Sequence, residues 1–147
     1  MRRRTALIVL LLAAVAAVLV LRWRPHGLAL VMRAEYPPRV RAGQVVVLRL
    51  FIGNPHARPV RLEDVDLDAA LAGGLTLVSV TPPPRRVAAH RRLGVLSLSY
   101  DEELPGHTLQ EWIMRLKAVK TGVVAGEVAV YSATNVRSQR VQITVLP

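Results

Sequence analysis

The sequence predicts an all-β chain: a two-sheet β-sandwich of seven to eight strands, preceded by one N-terminal transmembrane helix. Three observations carry this. Thr5 to Leu21 is an unbroken uncharged run. From Leu28 onward, short Val- and Leu-rich runs alternate with period two, the mark of strands half-buried in a sheet. Pro, Gly and Asn punctuate those runs at regular intervals, and no long apolar helix is available to cover a parallel sheet.

The N-terminal segment comes first. Residues 1–4 form a short basic tail, and residues 5–24 read as the membrane anchor. The seventeen residues from Thr5 to Leu21 span roughly 25 Å as a helix, a little short of the roughly 30 Å hydrocarbon layer. Arg4 and Arg22 snorkel, and Trp23 suits the interface, which closes the gap. Pro25 ends the helix, and residues 25–27 are a linker. A cleaved signal peptide is the competing reading, since Ala14-Val15-Ala16 is a small-x-small triplet behind a basic start. However, the apolar run ends at arginines and not at a cleavage signal. The N-side offers Arg2, Arg3 and Arg4, and the C-side offers Arg22, Arg24, Arg33, Arg39 and Arg41. Counting positives therefore does not orient the span. The expectation is a cytoplasmic N-terminus with an exported domain over residues 28–147.

The strands follow in order. In Leu28–Glu35, Leu28, Leu30 and Met32 oppose Arg33 and Glu35. In Gln44–Asn54, Val46, Leu48, Leu50 and Ile52 oppose Arg49. Val60–Leu67 changes phase between Leu62 and Val65, which predicts a bulge. Leu75–Val80 and Leu93–Leu98 are shorter strands. Val123–Ser132 aligns Val124, Val128 and Val130 against Glu127, and Arg140–Leu146 turns Val141, Ile143 and Val145 inward. Leu109–Lys120 reads two ways. As a strand it aligns Trp112, Met114, Leu116 and Ala118. As a helix it has the stripe Leu109, Trp112, Ile113, Leu116 and Val119, a capping box from Thr108 and Glu111, and Gly122 as a stop.

The stretch from Arg39 to Val130 resembles the immunoglobulin-like repeats of bacterial surface proteins, namely a repeated domain of unknown function and the cell-adhesion-related domain found in bacteria. The matching stations are Ala42-Gly43-Gln44 before a Val-rich strand and Asn54 after it, then Gly74 to Val80 and Leu93 to Leu96. Leu104-Pro105-Gly106-His107-Thr108 and Ala118 to Gly122 complete the match. The resemblance implies an immunoglobulin-like β-sandwich and makes Leu109–Ala118 a strand. It implies no activity.

The net charge is +10 over 147 residues. Residues 1–25 carry +5 of it, so the remainder is only mildly basic, weaker than the footprint of a dedicated nucleic-acid binder. The densest cluster is Arg85, Arg86, Arg91 and Arg92, read as an exposed loop or strand edge that contacts an anionic partner. No interleaved aromatic platform accompanies it, so no specific nucleic acid is implied. There is no cysteine, which excludes disulfides, Cys-ligated zinc and thiol catalysis. Asp64, Asp66 and Asp68 would share one strand face, but Ala69 and Leu75 break the calcium-loop pattern. His26, His56, His90 and His107 have no metal-ligand spacing. Asp101-Glu102-Glu103 precedes a turn, and no serine sits in a nucleophile elbow. No cofactor, metal site or enzyme chemistry is expected.

What remains is binding: a single-pass, membrane-anchored module exported to the cell envelope, with an envelope protein or polymer as partner. Two alternatives stay open. One is an accessory structural subunit that uses Ala13, Ala14, Ala16 and Ala17 for close helix approach. The other is a polyanion-binding protein acting through the Arg85–Arg92 segment.

Overall fold

The structure, a computed structural model, describes residues 29–90, 92–133 and 135–147. The anchor expected over residues 5–24, with its basic tail and linker, lies outside the described residues. Among those described, no helix is long and apolar enough to cross a membrane.

Ten strands and one short helix follow in chain order: β1 (Val31–Glu35), β2 (Arg39–Arg41), β3 (Val45–Asn54), β4 (Val60–Leu67), α1 (Ala69–Gly74), β5 (Leu75–Thr81), β6 (Arg86–His90), β7 (Val95–Leu104), β8 (Thr108–Ala118), β9 (Gly122–Ser132) and β10 (Asn135–Leu146). They form a four-stranded sheet ordered β1-β3-β8-β5 and a six-stranded sheet ordered β2-β10-β9-β4-β7-β6. Pairing is antiparallel throughout except between β2 and β10. All eight strands expected from the sequence are present. The expected count of seven to eight is too low, because β2 has only three residues, two of them arginine, and β6 is short and varies too little in polarity to show an alternating pattern.

The alternation decides the core. Val46, Leu48, Leu50 and Ile52 of β3 face Trp112, Met114, Leu116 and Ala118 of β8 across the register, and all are buried. Val124, Val128 and Val130 of β9 and Val141, Ile143 and Val145 of β10 form the facing layer. Antiparallel partners project to the same side, so each match of register is also a match of burial. The helical reading of Leu109–Lys120 fails for the same reason. Glu111, which would have closed a capping box, instead pairs across the sheet with Arg49. That hydrogen bond holds the Arg49 guanidinium above its ordinary pKa.

The expected bulge lies where β4 meets β7. Leu62 opposes Glu102, and Asp64 opposes Ser99, so Glu63 faces two residues, Tyr100 and Asp101. Asp101 takes the left-handed conformation, φ 52°, as the extra residue of a bulge often must. Its neighbour Tyr100 turns inward, meets the Trp112 ring edge-on with centroids 6.0 Å apart, and donates its hydroxyl to the Pro82 carbonyl at 3.2 Å.

Burial, reinforced by Glu102, pushes the Tyr100 phenol well above its usual range. In the unfolded chain that phenol ionises near pH ~10; in the folded chain it stays neutral to higher pH. Its stabilisation is therefore complete below the unfolded value and lost as pH climbs past it. Thermal melts are expected to drop between about pH 9 and about pH 11, and Tyr100→Phe should flatten that slope while costing about 1 kcal/mol at neutral pH for the lost hydrogen bond. An unchanged slope in the variant would show that the alkaline sensitivity comes from elsewhere.

The two sides of the sandwich differ. On the side of β1 and β10 the sheets are stitched together. The Gln139 side-chain amide accepts from the Ala34 N–H at 2.8 Å and donates to its carbonyl at 3.4 Å, and the Tyr36 hydroxyl accepts from the Gln142 N–H. On the other side, β5 ends one sheet and β6 ends the other.

Candidate functional site

The described part of the Arg85–Arg92 segment folds as an edge strand with its flanking turns, the strand edge of the two readings and not the loop. Arg85 precedes β6, Arg86 opens it, and Arg92 lies in the turn between β6 and β7; Arg91 is outside the described residues. A five-residue strand is roughly 17 Å long, so Arg85 and Arg86 do not form one patch with Arg92. Arg85 and Arg86 stand at one end and Arg92 at the other. A helix would have gathered them, and a strand spreads them.

Arg85 is already occupied. Its guanidinium reaches Asp101 at 3.3 Å, and Arg61 approaches the other oxygen of the same carboxylate. The bulge at Asp101 makes this possible by re-aiming the carboxylate toward both neighbouring strands. These groups are substantially exposed, so the pairs set geometry more than stability. Arg86 and Arg92 make no ion pair among the described residues.

Beside β6 lies an apolar groove of about 500 Å³, lined by Ala69, Ala72, Gly73, Leu75, Thr76, Leu77, Val87, Ala89, Gly94, Val95 and Leu96. Helix α1 is its floor, and β5 and β6 are its walls. The helix exists because Asp68 leaves the β4 face to cap it, its Oδ1 accepting the Leu71 N–H at 2.9 Å and its Oδ2 accepting the Glu127 N–H at 2.8 Å. Gly126 is required at that approach, since a Cβ there would sit 2.1 Å from the Asp68 carboxylate. The expected strand face of Asp64, Asp66 and Asp68 is therefore split. Asp66 accepts from the Ser97 hydroxyl, while Asp68 serves two backbone donors. Sequence reasoning missed α1 and the groove. The available signal was an N-cap aspartate followed by Ala-Ala-Leu-Ala.

The remaining titratable groups are dispersed. His56 hydrogen-bonds the Ala29 carbonyl through Nε2 at 2.9 Å, His107 occupies a left-handed turn position, and His90 ends β6. Tyr131 lies on the outer face of the six-stranded sheet, opposite Asp64. Partial burial and then the nearby Asp66 and Asp64 raise its phenol pKa. Among the described residues, no group of three metal-ligating side chains gathers.

No family model and no curated protein matches the sequence. Solved structures do match the fold. The C-terminal domain of the Streptococcus agalactiae antigen I/II polypeptide BspA aligns with a TM-score of 0.55 at 10% identity, covering 79% of this chain and 49% of that one. The C-terminal domain of the Streptococcus pyogenes antigen I/II-family protein AspA aligns with a TM-score of 0.53 at 13% identity, covering 80% and 46%. The chain thus spans a little under half the length of these structures. At such identity the likeness is one of fold.

Proposed function

We propose that this chain is a non-catalytic binding module of the bacterial cell envelope: an immunoglobulin-like sandwich held outside the cytoplasm by the apolar segment at residues 5–24. One observation carries the binding role, the β6 edge, unpaired among the described residues and lying directly beside an apolar groove. A sandwich whose polar side chains are spent on caps, bulges and surface ion pairs acts through such a surface. The shared architecture with domains of streptococcal antigen I/II polypeptides supports the bacterial setting. Tethering would add effective concentration toward membrane neighbours without demanding a tight interface.

The polyanion reading loses ground to this one. It needs convergent arginines, whereas β6 separates Arg85 and Arg86 from Arg92, and Asp101 already engages Arg85.

The location is tested by fractionating cells that express the full chain and then adding protease to intact cells. The expected result is sedimentation with membranes and cleavage of the sandwich from outside. Full-length chain recovered wholly in the aqueous fraction, or protected until the cells are lysed, would overturn the placement.

A further inference from the structure

The two sheets of the described residues have four edges, and three are closed. At β1, the Gln139 amide occupies both backbone groups of Ala34. The β2 strand has only three residues. In β5 the register shifts between Leu77 and Ser79, a bulge that spoils an edge as a template. By contrast, β6 keeps an unbroken register with β7 from Arg86↔Ser99 to His90↔Val95, and its far side pairs with no strand among the described residues. Alternate backbone N–H and C=O groups of such an edge point outward.

We propose that β6 is a docking edge for an extended, acidic segment of a partner protein, which adds a seventh strand to the six-stranded sheet. The inference rests on the reading of the chain as a binding module and names its partner by chemistry. Side chains of the added strand alternate between two environments. Those on one face lie beside Val87 and Ala89, which line the groove, and call for small aliphatic residues. Those on the other face lie beside Arg86 and His90. Neither Arg86 nor Arg92, just past the end of the strand, has an ion-pair partner among the described residues, so that face calls for carboxylates.

Charge also favours a foreign strand over self-pairing: a second copy docked edge to edge would bring no carboxylate to Arg86, since β6 itself carries none. An acidic strand meets the complementary pattern.

The test uses the full-length chain in detergent micelles and a fluorescent eight-residue peptide of alternating valine and glutamate. Three controls are the same peptide with alternate amides N-methylated, with lysine for glutamate, and with serine for valine. Anisotropy titrations are expected to show each control binding at least about tenfold more weakly. Val87→Glu, at an exposed position, should weaken the parent peptide by about the same factor, with an unchanged circular dichroism spectrum. No binding, equal binding of the N-methylated peptide, or dextran sulfate displacing both peptides equally would overturn the proposal, the last by pointing to a plain polyanion site. Should Val87→Glu fail to fold, the peptide controls still decide. Failure here leaves the membrane placement standing, and failure of that placement leaves this result standing.

Discussion

Trp112→Ala is expected to lower the unfolding free energy by about 3–5 kcal/mol, which for a domain of this size moves the melting midpoint down by roughly 10–20 °C. Trp112 lies at the centre of the four-stranded sheet's inner face, opposite Leu50 on β3, and is fully buried. Its removal takes away the ring against which Tyr100 packs edge-on, and rigid strands on both sides keep the cavity from collapsing. The indole also carries a cost of its own. Trp112 Nε1 is buried and has no hydrogen-bond partner among the described residues, a defect that Phe would not have. Trp112→Phe should therefore cost far less than its lost volume implies, under about 2 kcal/mol. Thermal unfolding followed by far-ultraviolet circular dichroism measures both variants. Equal losses for Ala and Phe would show that the indole is anchored by an interaction beyond shape.

The contrast between these positions and the edges explains what was legible in the sequence. Strands β3, β8, β9 and β10 run through sheet interiors with one face buried, and that geometry imposes the period-two pattern from which they were read. Strand β6 lies at an edge, so neither of its faces is fully covered. Arg86, Val87, Ala88, Ala89 and His90 alternate in chemistry too weakly to announce a strand. Strand β7 was read as ending at Leu98, yet it continues to Leu104. Its exposed Asp101, Glu102 and Glu103 carry no core signal, and the bulge at Asp101 shifts the phase in mid-strand.

The candidate site was legible only as composition. Four arginines in eight residues stood out, and the three that are described, Arg85, Arg86 and Arg92, are exposed. Their mutual distance depends on whether the backbone is coiled or extended, which those residues do not encode. The groove was less legible still, because it is a property of two edges and a helix, β6, β5 and α1, and each of its lining residues reads as ordinary core or turn. Only topology brings Ala72 and Leu77 to face Val87 and Ala89.

Asn54 shows how a single polar side chain inside that topology can matter as much as an aromatic one. It is buried at the end of β3. Its Nδ2 donates to the carbonyls of Arg58 at 2.8 Å, Leu104 at 3.0 Å and Pro105 at 3.2 Å, and its Oδ1 accepts the His56 N–H at 3.0 Å. The loop after β3 and the turn between β7 and β8 are thereby held together. They meet closely enough that a Cβ on Gly106 would lie 2.2 Å from the Ala57 carbonyl oxygen. Asn54→Ala leaves those backbone groups without the amide and is expected to cost about 2–4 kcal/mol. Asn54→Asp should be worse at neutral pH, since it aims a carboxylate at three carbonyl oxygens in a dry site. Burial and those oxygens would raise that carboxyl's folded pKa above its unfolded value near ~3.9. Its folded state is then best supported below the unfolded value and loses support as pH rises. Denaturant titrations across pH should show the Asn54→Asp deficit, relative to the parent chain, shrinking toward pH ~4, whereas the Asn54→Ala deficit stays level. If the two deficits run parallel, the introduced carboxylate is reaching solvent and the two turns are not locked around this side chain.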